Sequence, residues 1–594
     1  MKRKDINDEY KWDLTKIINN DEDFNKKCEL VRKLSDDILS MKGSILLDEN
    51  NLKDYLKKSY EMNLNWEKIY IYAHLLYYSD TTEKEYKEKM LISEKLSEDV
   101  SSKLSFIEPE ILKGDYNNII NMLKKCDMSE YSFYFEKMFR YKDFTLSEKE
   151  EKIIAEAVNT FGTGDNVFNE IDNSDVYFGK IKIDNENVEL THSNFIKLMN
   201  HKEQKVRKKV FKQYYKYFLD RKNTISECLK GQIKENFFIS NIRKFNSPLE
   251  YSLYSDNIDK KLYVNLIDVC HEKNYLIHDY MKLRKDILKL NEMHMYDIYV
   301  DLVKEKEDKV DFKECKKIIF EALKPLGNEY LESLKKAFNN KWIDIYPNDG
   351  KRSGAYEWNT YKVDPYVSIN YENDIDSVNT LIHELGHAMH SYYSDNNNSF
   401  IYNGYPIFLA EIASTVNEVL LNEYLINNSK SDKEKLLYIT KFLDKVRGTI
   451  FRQTMFAEFE SIMHDKYQNN VPLTESEFSE TYYKLNKEYY GNNIISDEEI
   501  KLEWARIPHF YNSFYVYKYA TGLISALIIA NNILNNIPNA KENYIKFLSS
   551  GGSDYPLNIL KKCGVDITNK KVLEDSFSIF EKRLEEAKKL VKRV

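Results

Sequence analysis

His383-Glu384-Leu385-Gly386-His387 sets two imidazoles four residues apart with a glutamate directly after the first. On an α-helix, residues i and i+4 lie about 40° apart around the axis and one turn apart along it. Both rings can then reach a single Zn²⁺ at roughly 2.0–2.1 Å. Glu384 sits about 100° further round, too far to join that face as a ligand. It can instead stand beside a zinc-bound water and take its proton, the general-base role in a metallopeptidase.

The flanking residues supply the helix. Val378, Leu381, Ile382, Leu385, Met389 and Tyr392 recur with an i, i+3, i+4 rhythm, and His383, His387 and His390 fall on the other side. Asp374, Asp376 and Ser377 are cap candidates ahead of the stripe. Gly386 weakens a helix by about 1 kcal/mol against alanine, so a close approach by something is expected there. Downstream, Phe408, Leu409, Ile412, Val416, Val419 and Leu420 predict a second amphipathic helix with Glu411 and Glu418 on its opposite face. Two histidines leave zinc short of a third protein ligand, and a glutamate from a following helix is the natural candidate. His390 competes, but it lies about 10.5 Å along the axis from His383.

Two other stretches bear on the chemistry. Trp504-Ala505-Arg506-Ile507-Pro508-His509 runs into an aromatic segment that ends at Tyr519. A histidine N–H or tyrosine O–H from it can brace an oxyanion; the same run also reads as an aromatic helix core. Gly350 and Gly354 bracket a loop, and Pro365 to Tyr371 alternates like an edge strand. Such a strand can pair with an extended peptide, or simply shield the helix that follows.

Composition sets the frame. With Gly 17 and Pro 10 in 594 residues, 31% charged and 42% hydrophobic including Tyr 46 and Phe 30, the chain is expected to be mainly α, globular and soluble. The net charge of -8 and the interleaving of acids near Lys205-Val206-Arg207-Lys208-Lys209 exclude a cationic face for nucleic acid. Six cysteines without a CxxC pair read as free thiols of a reducing compartment. The N-terminus has no apolar leader, and Gly522 to Ala530 is too short to span a bilayer, so no membrane association and a cytoplasmic location are expected. Residues 175 to 192 carry a β-hairpin signal around Asp184-Asn185-Glu186-Asn187. A long helix over Arg207 to Phe245 and a strand within Met293 to Leu302 are also predicted, and His74 reads as a core or rim residue.

The segment Thr380 to Ser391 resembles the zinc segment of oligoendopeptidase F, the bacterial branch of the family that contains thimet oligopeptidase and neurolysin. Trp12-Asp13-Leu14, Gly350 to Tyr356, Phe408-Leu409-Ala410-Glu411, His509-Phe510-Tyr511 and Gly551-Gly552-Ser553-Asp554 are similar to landmarks of that branch, in order. The resemblance implies a large, prolate helical fold with a deep substrate channel and a small β-sheet near the zinc helix. Residues 1–174 would form an N-terminal helical scaffold or lid, and 175–594 the catalytic domain. It implies one Zn²⁺ per chain on His383, His387 and Glu411, with Glu384 as base. His509 and Tyr515 would stabilise the oxyanion, with Tyr511 and Tyr517 open as alternatives. Glu418, Gly354, Tyr511 and Tyr517 are candidates for supporting a ligand or touching substrate. Short unstructured peptides are the expected substrates, cut internally, with no obligatory protein partner. A related exopeptidase and a peptide-binding protein with an idle zinc motif are the alternatives.

Overall fold

The computed structural model describes residues 2–303 and 309–593. Helices dominate, and the named strands are short: β1 (Lys180–Ile183), β2 (Glu186–Glu189), β3 (Ile343–Asp344), β4 (Tyr356–Trp358) and β5 (Tyr366–Ser368). The chain divides into two compact units, each assembled from separate stretches. The first is Met1–Thr145, Glu307–Leu421 and Ile529–Val565; the second is Leu146–Lys306, Asn422–Ile528 and Asp566–Val594. None of these borders falls at residue 175, because each core draws helices from distant parts of the sequence.

In the first unit, the helices Asp21–Leu39, Glu49–Ser79 and Lys84–Leu104 pack together. The side chains of Asn20 and Asp48 cap the first two. Trp12 and Leu14 enter the same core with Tyr366 of β5. Trp12 meets the Tyr366 ring edge-on at 6.0 Å, and the Tyr366 hydroxyl donates to Asp13 O at 2.8 Å.

The sheet order is β3–β5–β4, with β5 parallel to β3 and antiparallel to β4. The expected edge strand at 365–371 is therefore the central one. Its three residues are buried because strands flank it on both sides and the helix Ile375–Asn397 packs on it. β4 is the edge.

The loop before β4 is pinned at its first half. The carbonyl of Gly350, at φ 79°, accepts from the Thr81 amide at 2.8 Å, and a Cβ on this glycine would meet Asp80 Oδ1 at 2.3 Å. The buried Lys351 ammonium reaches Ile369 O at 2.6 Å and Asp344 Oδ1 at 2.7 Å. Gly354, at φ 84°, has open space where a Cβ would be.

In the second unit β1 and β2 form the expected hairpin, turned by Asp184 and Asn185 at φ 47° and 69°. The predicted long helix is two, Gln204–Leu219 and Lys222–Ile242. Arg221, at φ -120° and ψ 4°, leaves the helical ladder between them. Instead of a strand, Met293 to Leu302 contains a tight turn, Met295–Asp297, whose three residues are all buried. Asp297 pairs there with buried Arg207 at 2.7 Å, so the apolar run wraps over a core rather than joining a sheet. Helix Lys260–Ile287 packs on the C-terminal helix Lys570–Val591.

All six cysteines are buried and free. Among the described residues, no helix is long and apolar enough to cross a membrane. His74 is buried, its Nδ1 against Tyr70 O at 2.8 Å.

Candidate metal centre

Two helices of the first unit carry the candidate ligands. The histidine helix (Ile375–Asn397) begins where the extended Asp374 accepts the Ser377 amide at 2.8 Å, which satisfies one of the four open N–H groups of its first turn. Val378, Leu381, Ile382, Leu385 and Met389 are fully buried. Their stripe fastens one face to the core and leaves His383 and His387 on the other.

The glutamate helix (Ile407–Asn427) crosses it closely. A Cβ on Gly386 would lie 2.5 Å from Ser414 Cα and 2.9 Å from Ala413 O, so glycine alone lets the two backbones meet. Fully buried Asn417 ties the helices again, donating to Ile382 O at 3.1 Å and accepting from the Tyr330 hydroxyl at 3.2 Å. These contacts carry Glu411 and Glu418 to the imidazoles.

His383, His387 and Glu411 each offer a ligand atom, and the three atoms lie within 4.8 Å of one another. His383 Nε2 stands 3.2 Å from His387 Nε2 and 3.9 Å from Glu411 Oε2. Two nitrogens on one tetrahedral zinc stand about 3.3 Å apart, so the donors fit such an ion. Glu418 accepts a hydrogen bond from His383 Nδ1, which directs the lone pair of Nε2 toward the cluster. Burial, and then the neighbouring His383, push His387 down to about 3, which keeps that ring neutral and able to ligate. Burial raises Glu384 to about 7, with His383 opposing and Glu411 adding to the rise.

His390 takes no part in the cluster. It is fully buried, stacked on Tyr405 at 3.6 Å and on Phe547 at 5.3 Å, and among the described residues neither ring nitrogen has a hydrogen-bond partner. The Tyr405 hydroxyl lies 2.8 Å from Ser391 Oγ and donates to His387 O at 3.4 Å. On β4, burial pushes Glu357 up to about 8, and its Oε1 has no hydrogen-bond partner among the described residues. Sequence reading did not single out Tyr405 or Glu357, since nothing in their spacing links them to the histidines.

The late aromatic run lies in the second unit. His509 Nε2 is 3.1 Å from the Tyr519 hydroxyl. Tyr515 packs against both, at 6.3 Å from His509 and 5.3 Å from Tyr519. Burial and then Arg452 lower His509, leaving a neutral ring. Tyr517 is a core residue, packed on Tyr263 at 5.5 Å, and Tyr511 stacks on Phe168 at 4.5 Å with its hydroxyl buried and without a hydrogen-bond partner among the described residues. The partner of His509 is therefore Tyr519, which spacing did not favour because a loop separates the two. That loop is sharply bent: Phe514 has φ 57°, and its amide donates to Glu460 Oε1 at 2.6 Å.

A model of peptidase family M3 matches residues 197–579, and one of oligopeptidase F matches 110–178. The chain is similar to oligopeptidase PepF of Bacillus subtilis, 38% identical over 594 residues that cover 100% of this chain and 89% of that one. It is equally similar to an oligoendopeptidase F homolog of Borreliella burgdorferi, at 38% over 593 residues covering 99% and 100%. Among solved structures, oligoendopeptidase F from Enterococcus faecium superposes with TM-score 0.75 at 33% identity, covering 97% of this chain and 100% of that one. A Chlamydophila abortus protein gives TM-score 0.93 at 34%, covering 99% of each chain.

Proposed function

The chain belongs to peptidase family M3, in its oligoendopeptidase F branch, and is a metallopeptidase; from that premise we propose that it is a zinc endopeptidase of short, unstructured peptides. The convergence of His383, His387 and Glu411 on one point carries the proposal. We assign one Zn²⁺ per chain to these three. When bound, zinc polarises a peptide carbonyl and makes water acidic enough to attack near neutral pH.

Glu384 takes a proton from the attacking water and later passes it to the leaving amine. Glu418 keeps His383 in the ligating tautomer. His509 and Tyr515 donate to the oxyanion as it forms, an assignment supported by the family resemblance; Tyr519 orients the His509 ring. There is no covalent intermediate. The edge strand β4 suits an extended peptide, whose backbone would add to the sheet. The free, buried thiols support a reducing, cytoplasmic setting.

The test is mass spectrometry of an acetylated, amidated peptide of neutral residues after incubation with zinc-loaded protein, with and without a chelator. Internal cleavage abolished by the chelator is expected. Trimming confined to an unblocked twin would replace the endopeptidase with an exopeptidase, and no cleavage of either would overturn the reading.

A further inference from the structure

Two side chains next to the histidine helix have no part in the mechanism above. Tyr405 stands just before the glutamate helix begins at Ile407. Glu357 is the middle residue of β4. Both belong to the first unit, as do the three candidate ligands.

Tyr405 joins the two ligand helices at the level of His387. Its ring lies flat on His390, 3.6 Å between centroids and 9° between planes. Its hydroxyl reaches two groups of the histidine helix, His387 O at 3.4 Å and Ser391 Oγ at 2.8 Å. Glu357 meets the same helix from the sheet. Tyr356 and Trp358 pack on the core of the N-terminal helices, so alternation along β4 turns Glu357 to the other face. The histidine helix packs on β4 there, and the Ser391 hydroxyl shares a hydrogen bond with the Glu357 carboxyl. Since Oε1 has no partner among the described residues, the other oxygen makes that bond.

Counting protons sets the direction of each bond. A carbonyl only accepts, so the Tyr405 hydroxyl donates to His387 O. A hydroxyl has one proton, so Tyr405 accepts from Ser391, and Ser391 in turn must accept from Glu357. A carboxyl donates only when protonated. Burial supplies that state: it pushes Glu357 up to about 8, with Ser391 opposing and Glu384 and Asp395 adding to the rise. An ionised carboxylate would take the Ser391 proton instead. Ser391 would then accept from Tyr405, and His387 O would lose its contact.

We infer that Glu357 is a positioning residue, a neutral hydrogen-bond donor that acts through Ser391 and Tyr405. The chain of donors fixes the entry of the glutamate helix against His387, and so the fit of His387 and Glu411 to one ion. The inference rests on the zinc reading above. It makes β4, the strand proposed to take the peptide, part of the frame that holds the metal ligands.

Zinc affinity by chelator competition, with melting of the metal-free protein, tests it on the full chain. Glu357→Gln keeps a neutral donor of the same length and should hold zinc as wild type does. Glu357→Met fills the space without a donor, and Tyr405→Phe keeps the ring but loses the hydroxyl. Each should weaken zinc about tenfold. The double variant should lose little more than either single one, because both break the same chain. Wild-type affinity in Glu357→Met would overturn the inference, even if its metal-free form melted lower, since the role would then be packing alone. Losses in Glu357→Gln equal to those in Glu357→Met would also overturn it, as would additive losses in the double variant. If wild type itself holds no zinc, the proposed metal centre has failed and this inference with it.

Discussion

Replacing Gly386 by alanine isolates what the crossing of the two ligand helices does. Helix propensity alone predicts that Gly386→Ala stabilises the histidine helix by about 1 kcal/mol. The crossing predicts the opposite. The new Cβ would sit 2.5 Å from Ser414 Cα and 2.9 Å from Ala413 O, whereas ordinary contact begins at 3.4 Å. Both opposing atoms are backbone, so no side chain can swing aside, and the helices must separate by about 1 Å. Overpacking of that kind costs about 1–3 kcal/mol.

Glu411 is one turn from Ser414 and moves with it. A metal site tolerates ligand displacements of about 0.2 Å, so a shift several times larger should weaken zinc at least about tenfold. Chelator competition measures the affinity, and thermal melting of the metal-free protein measures the packing. The expected result is weaker zinc and a lower melting temperature. A variant that melts higher than wild type and holds zinc equally well would refute the argument.

Glu384→Gln should retain zinc while turnover falls about a hundredfold or more; more than a few per cent of wild-type activity would remove Glu384 as the base. Glu418→Ala frees the His383 ring and should lower zinc affinity or activity about 10–100-fold, and an unchanged chelator titration would show that the ring needs no such anchor. His464 should make the second unit acid-sensitive. Its Nδ1 donates to Glu460 O at 2.8 Å and its Nε2 accepts from Asn236 at 3.0 Å, which fixes a neutral ring, and burial lowers it from 6.5 to about 4. A folded pKa below the unfolded one gives stability that is present above about 6.5 and lost as pH falls toward 4. From pH 7.5 to 4.5 the loss is about 2–3 kcal/mol. The denaturant midpoint of His464→Gln should therefore fall less than that of wild type over this range, and parallel pH profiles would contradict it.

The sequence by itself determined what depends on a few neighbouring residues. The four-residue spacing of His383 and His387, the Asp374 cap and the apolar stripe are properties of one helix, and helical geometry converts them directly into a shared face. The Asp184-Asn185 turn fixed the hairpin in the same local way. Gly386 announced a close approach without naming its partner.

The tertiary structure decided everything that required two elements to meet. Ser414 arrives at Gly386, and Tyr519 rather than Tyr511 or Tyr517 faces His509, because a loop bent at Phe514 resets the direction of the chain between them. β5 lies inside its sheet although its alternation reads as an edge, since alternation records which side chains share a face and not how many strands flank them. Glu357, Ser391 and Tyr405 come together from a strand, a helix and the turn before another helix. Local spacing fixes angles along one backbone, whereas contacts between elements follow from how whole apolar faces pack, and single-residue spacing carries no record of that.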